Sequence, residues 1–284
     1  MKQRKLFCEI NPFFYKLSCW KESFRRSLKD LLSNEKIARH KSNNPFPTMV
    51  MQHSSVLVRR LHNVDITLQE NKVTNIKLAA QKINGLVVYP GETFSFWRTV
   101  GKTTAKKGYK PGLVITKSKV SSGIGGGLCQ MANMVHWLVL NSPLTVTELH
   151  HHTDALFPDE HRRVPFGTGT SISYKSLDYR FKNNTNQAIQ ILVWCEDGEL
   201  KGELRTENDF TCRYKLVETD HHFEKLGDNY YRNSKVWRMV YDREANELLT
   251  EELILDNHSL VMYDHSLIPQ EQIKNCKDAV TPLQ

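Results

Sequence analysis

The stretch "SSGIGGGLCQMANM", residues 121–134, puts four glycines into five positions, Gly123 and Gly125–Gly127, directly ahead of an apolar run. Glycine adopts positive φ and lets one backbone approach another closely, so the chain must turn tightly here and pass from one kind of element to another. Downstream, "CQMANMVHWLVLNSP" reads as a helix over 128–141, closed by Asn141 and Pro143. Upstream, "LVVYPGETFSFWRTVG" reads as a strand, a Pro-Gly turn and an alternating aromatic strand, and "KKGYKPGLVITKS" as a turn entering another strand.

An amphipathic helix is expected near residues 70–84, with Val73, Ile76, Leu78, Ala79, Ala80 and Ile83 inward and Gly85 ending it. After the glycine run come strands again: "LTVTELHHH", "TSISYKSLDYRFKNNT", "QAIQILVWCE" and "ELKGELRTE", with "KNNTN" as a hairpin turn. Residues 207–284 supply two or three more, including "VWRMVYD" and "ELLTEELIL". The fold class that results is α+β, a mostly antiparallel β-sheet packed against the helix behind the Gly-rich loop, with an N-terminal amphipathic helix.

Charge divides the chain unevenly. Residues 1–47 hold eleven Lys or Arg against four Asp or Glu, so nearly all of the net +8 lies there. A basic tail on a near-neutral domain, with no helix-turn-helix or RNP-like pattern, argues against nucleic acid as a partner. Within the tail Leu6, Ile10, Phe13, Phe14, Leu17, Trp20, Phe24, Leu28, Leu31 and Leu32 recur at helical spacing, interleaved with Lys16, Lys21, Arg25, Arg26 and Lys29. The expected helix starts near Asn11 with Pro12 in its first turn, and "SNNPFP" at 42–47 breaks it. Its apolar stripe is expected to dock on its own domain; peripheral contact with an anionic membrane surface is the alternative.

No run of 18 apolar residues is present, and residues 1–30 lack the apolar block and small-residue cleavage site of a secretory signal. Six widely spaced cysteines without a C-x-x-C pair read as free thiols. The expected location is therefore cytoplasmic, with membrane-peripheral contact as its variant.

Cys129 is the chemical focus. At a helix N-terminus, unpaired N–H groups and the helix dipole favour thiolate over thiol. Gly125, Gly126 and Gly127, with the Cys129 amide, are candidate oxyanion donors, and Gln130 is a supporting candidate. The competing reading is a tight turn followed by a small buried apolar cysteine. His136, seven residues on, lies about 10 Å along the axis and is too far to act as base. In an extended "TVTELHHHTD", His150 and His152 share a face with Val146. Either imidazole is a candidate base, with Asp154, Asp159 or Asp178 to orient it. One Cys and two His also suit zinc, and three histidines also suit a solvated strand end. No metal is assigned and no cofactor is expected.

"PGETFSFWRTVG", "KGYKPG", "GGGLCQ", "ELHHHTDALFPDEHRRVPFG" and "DYRFKNNT", in that order, resemble the VanW family over roughly residues 48–206, and more loosely beyond. On this basis the chain divides into a basic helical tail (1–47), a VanW-like α+β domain (48–206) and a C-terminal β-hairpin extension of it (207–284). The resemblance implies peptidoglycan chemistry of the L,D-transpeptidase type. Cys129 corresponds to the nucleophile, His150 and His152 to the histidines of the family's H-x-H segment, and the partner would be a peptidoglycan stem peptide or precursor. A non-catalytic accessory or binding protein of a glycopeptide-resistance or cell-wall system is the alternative.

Overall fold

The computed structural model of the chain describes residues 11–58, 65–116, 119–151, 154–156, 158 and 164–274. Helix α1 (Pro12–Leu32) starts where its sequence signals place it: the Asn11 side chain accepts the Phe14 N–H at 3.0 Å, and Pro12 occupies the first helical position. It ends at Leu32, well before "SNNPFP". The chain then runs extended, with Ile37 bridging to Thr93 and Lys41 to Leu86.

Strand β1 (Thr48–Val56) leads to α2 (Ile66–Ile83). This helix begins earlier than its apolar pattern suggested, because Asp65 caps it by accepting the Thr67 N–H at 2.9 Å. Strands β2 (Leu86–Val88) and β3 (Thr93–Ser95) follow. The expected aromatic strand stops there. The Ser95 hydroxyl accepts the Arg98 N–H and starts a short helix, α3 (Phe96–Val100), so "FWRTV" is helical. Strands β4 (Pro111–Thr116) and β5 (Lys119–Ile124) form a hairpin that ends in the glycine turn, and α4 (Cys129–Leu140) occupies the expected helix.

Next come β6 (Thr145–Glu148), β7 (Asp154–Ala155), β8 (Arg180–Lys182), β9 (Ile189–Glu196) and β10 (Glu199–Thr206). An antiparallel sheet in the order β1-β10-β9-β2 carries the main core. On β10, Leu200, Gly202, Leu204 and Thr206 are buried in strict alternation with Lys201, Glu203 and Arg205. Ile76, Ala79 and Ile83 of α2 and Met131, Met134, Val135 and Leu138 of α4 close over this sheet.

A second sheet, β3-β8-β6, stacks Phe94 on Phe181, ring centroids 5.0 Å apart. Because β8 and β9 lie in different sheets, "KNNTN" is a crossing and not the expected hairpin turn. Asn183 makes the corner instead: its side-chain amide donates to the carbonyls of Val88 and Gln187. Beyond residue 206, β11 (Cys212–Leu226), β12 (Asn229–Asp242) and β13 (Leu248–Val261) form a long antiparallel meander. Its edges receive β14 (Ile273–Lys274) and β7, both parallel. A small separate core of Ala155, Phe223, Val261 and Ile268 sits there.

The apolar stripe of α1 is not docked on the domain as expected. Phe13, Trp20, Phe24 and Leu31 are 60–79% exposed. The helix is held by its polar edge, where Arg26 donates to both Glu148 oxygens at 2.7 and 2.5 Å and Asp30 pairs with Arg180 at 2.7 Å.

Candidate functional site

The glycine turn is pinned from both sides. Its close approach to β4 requires glycine, since a Cβ on Gly126 would lie 2.2 Å from the Gly112 carbonyl oxygen, and Gly127 holds φ +89°. Asn75, a fully buried residue on the apolar face of α2, ties the parts together. Its amide donates to the carbonyls of Lys110 and Gly126, and its oxygen accepts the Lys110 N–H. The Gly125 N–H is committed to the Lys110 carbonyl and the Gly126 N–H to that of Gly123, both at 3.0 Å. Of the candidate oxyanion donors in the turn, Gly127 carries the amide with no such backbone bond among the described residues.

Cys129 is the first residue of α4, behind an N-cap, Leu128, that offers no side-chain cap. The residue keeps a part of its surface. Even so, burial is the largest influence on its thiol and pushes the pKa up, with the N–H groups of Ile172 and of Cys129 itself pulling against it. Burial thus works against the thiolate that the helix terminus and these two N–H groups favour. Gln130 turns away to brace β1, donating to the Ser55 hydroxyl and the Val56 carbonyl at 2.9 Å.

Residues 168–172 run alongside the start of α4. Asn133, one turn beyond Cys129, accepts the Thr170 N–H at 2.8 Å; a Cβ on Gly169 would meet the same side chain. On its other side this segment meets His150, whose carbonyl accepts the Ser171 N–H at 2.7 Å. The run from Thr170 to Ile172 is thus a spacer one strand wide between the cysteine and the histidine segment.

Strand β6 ends at Glu148, so the strand expected to carry His150 and His152 on one face stops short of both. His150 Nε2 lies 3.0 Å from Glu148 Oε1. Among the described residues the carboxylate that this imidazole meets is Glu148, which the sequence reading did not weigh beside Asp154, Asp159 and Asp178. Its position two residues before His150, on the same face of an extended chain, was the available signal. Asp178 accepts from the Ser95 hydroxyl, the Trp97 N–H and Arg180. Asp154 is paired in register with Leu260 of the meander. His152 and Asp159 lie outside the described residues.

Around Glu148 a charge cluster assembles from distant parts of the chain: Arg26 and Asp30 of α1, Glu35, Asp178 and Arg180. Burial would raise the Glu148 carboxyl, but hydrogen bonds from Arg26, His150 and the Asp178 N–H outweigh it and bring the pKa down to about 2. A cleft of about 160 Å³ opens beside the cluster, lined by Arg26, Asp30, Trp97, Arg98, Tyr174 and Asp178 among others. Cys129 is not part of it. Among the described residues no group of three His, Cys, Asp or Glu side chains converges as a metal site.

His136 serves the core. Its Nδ1 lies 3.1 Å from the Tyr179 hydroxyl, and burial first, then His151, lowers its pKa from 6.5 to about 3. The folded ring stays neutral while the unfolded one protonates, so stability is complete above pH 6.5 and falls as pH drops toward 3. That slope should approach about 1.4 kcal/mol per pH unit and flatten in His136→Phe, as read from denaturant midpoints on both sides of that pKa. An unchanged slope in the variant would assign the acid sensitivity to other groups.

The family model described as "VanW like protein" matches residues 71–205. Vancomycin B-type resistance protein VanW of Enterococcus faecalis is 31% identical over 217 residues, which is 76% of this chain and 79% of that protein. The Bacillus subtilis protein YoaR is 38% identical over 117 residues, 41% of this chain and 37% of the relative. No solved structure gives a significant match.

Proposed function

Because the chain belongs to the VanW family, we propose that it is a cell-wall protein that acts on peptidoglycan stem peptides, by acyl transfer through Cys129. The observation that carries this reading is the seat of the sulfur at the head of α4, under the N–H groups of Ile172 and Cys129. Such donors lower the energy of a thiolate once a proton has left.

The group proposed to take that proton is an imidazole of the histidine segment, His150 or His152, which must reach the thiol past the Thr170–Ile172 run. The thiolate then attacks the carbonyl carbon of a donor peptide bond. The tetrahedral oxyanion collapses to a thioester as the C–N bond breaks, and the imidazolium returns its proton to the leaving D-amino acid. An acceptor amine attacks the thioester carbonyl, forming the new amide and regenerating the thiol. The Gly127 N–H is the oxyanion donor that this reading selects from the glycine turn.

A second reading, a binding protein without chemistry, is favoured by the upward-shifted thiol and by the bond that His150 makes to Glu148. Intact mass measurement after mixing with tetrapeptide and pentapeptide stems separates the two. A covalent adduct located on Cys129 is the expected result. Peptide binding with an unchanged protein mass would overturn acyl transfer and leave the binder.

A further inference from the structure

We propose that α1 is a membrane-docking helix, which lays its Trp20–Phe24 face on the surface of an anionic bilayer. The inference is independent of the acyl-transfer reading. It rests on which side of the helix the domain holds.

At about 100° per residue, Phe13, Leu17, Trp20, Phe24, Leu28 and Leu31 fall within an arc of about 80°. Arg26 and Asp30, the residues that clamp the helix to Glu148 and Arg180, lie well over 90° round the wheel from the middle of that arc. A helix serving only its own domain presents the apolar arc inward. Here all six apolar side chains are exposed, and the rings of Trp20 and Phe24 stack at 5.9 Å to make one continuous surface. No helix among the described residues is long and apolar enough to cross a membrane, so contact would be with the surface.

The occupant is argued from charge. Lys21 is exposed about 20° beyond the edge of the arc and Arg25 about 60° beyond it, while Glu22, the one exposed acidic residue of the helix, lies on the far side. An aromatic face with a cationic margin matches the boundary between acyl chains and anionic headgroups. A second copy of the same helix would set like charges against each other at the rim, which disfavours self-pairing. Because Arg26 reaches Glu148 and Glu148 reaches His150, a docked helix also holds the histidine segment close to the bilayer.

Flotation of the full chain with phosphatidylglycerol-containing vesicles and with pure phosphatidylcholine vesicles tests this. Binding to the anionic vesicles is expected, falling as salt rises. Loss of the two rings in W20S/F24S should weaken it by roughly 100-fold. Replacing Lys21 and Arg25 by Gln should cost roughly 30-fold on anionic vesicles. These side chains are exposed, so circular dichroism and melting should match the parent chain and separate lost docking from lost folding. Absence of binding to anionic vesicles, or binding unaffected by W20S/F24S, would overturn the proposal. A dimer in sedimentation velocity that W20S/F24S dissociates, in a chain that ignores vesicles, would assign the face to a second copy.

Discussion

Cys129→Ala is expected to abolish the covalent adduct with stem peptides and to lower transfer by roughly 10³-fold or more, the scale seen when a nucleophile is removed. The variant should still bind the donor peptide, because the sulfur occupies a small seat and alanine leaves α4 intact. The parent thiol should also show a particular reactivity. With burial pushing its pKa up, the thiolate fraction at neutral pH is small, so alkylation by iodoacetamide should be slow there and accelerate as pH rises. Equal transfer by parent and variant would remove Cys129 from the chemistry.

Arg180→Ala is expected to be the most destabilising change outside the apolar core. The guanidinium is 8% exposed and binds Asp178, Asp30 and Glu35 at 2.7–2.8 Å. Its removal takes the nearer cation from the Asp178 carboxylate, whose side chain is 5% exposed, leaving it Arg26 at 3.6 Å and the bonds from Ser95 and Trp97. Breaking a buried ion pair from one side costs about 3–5 kcal/mol, equivalent to a fall in Tm on the order of 10 °C. The same variant should loosen α1, since Asp30 keeps only its intrahelical pair with Arg26 at 3.3 Å and the Arg26–Glu148 bonds remain the helix's attachment. Limited proteolysis between Leu32 and Thr48 reports this directly. A Tm within a degree or two of the parent would show that the cluster contributes orientation and little stability.

Much of the architecture could be read before any coordinates, because it rests on local chemistry. Asn11 and Pro12 announce α1, and the run behind Gly127 announces α4, since capping and periodicity are properties of neighbouring residues. Alternation on β10 marks its buried face for the same reason. What escaped reading depends on partners far along the chain. Glu148 meets Arg26 from 122 residues away, and no spacing rule links them. Periodicity shows that α1 has an apolar face but not which way the face points; the ion pairs of its opposite edge decide that. "KNNTN" has turn residues, yet the turn does not say which strands it joins, and Asn183 spends its amide on Val88 and Gln187 in place of a hairpin. The glycines were legible as a turn, whereas the commitment of two of their amides to Lys110 and Gly123 depends on a hairpin whose register only the fold supplies.

Strand β7 has a consequence for how the histidine segment can evolve. Asp154 and Ala155 are stitched to Leu260 and Val261, and Ala155 is immersed among Phe223, Val261 and Ile268. The run bearing His150 is therefore moored at both ends, to β6 on one side and to the far meander on the other. Substitutions in the small core of the meander are expected to shift the His150 imidazole from a distance, without altering a residue beside the cysteine.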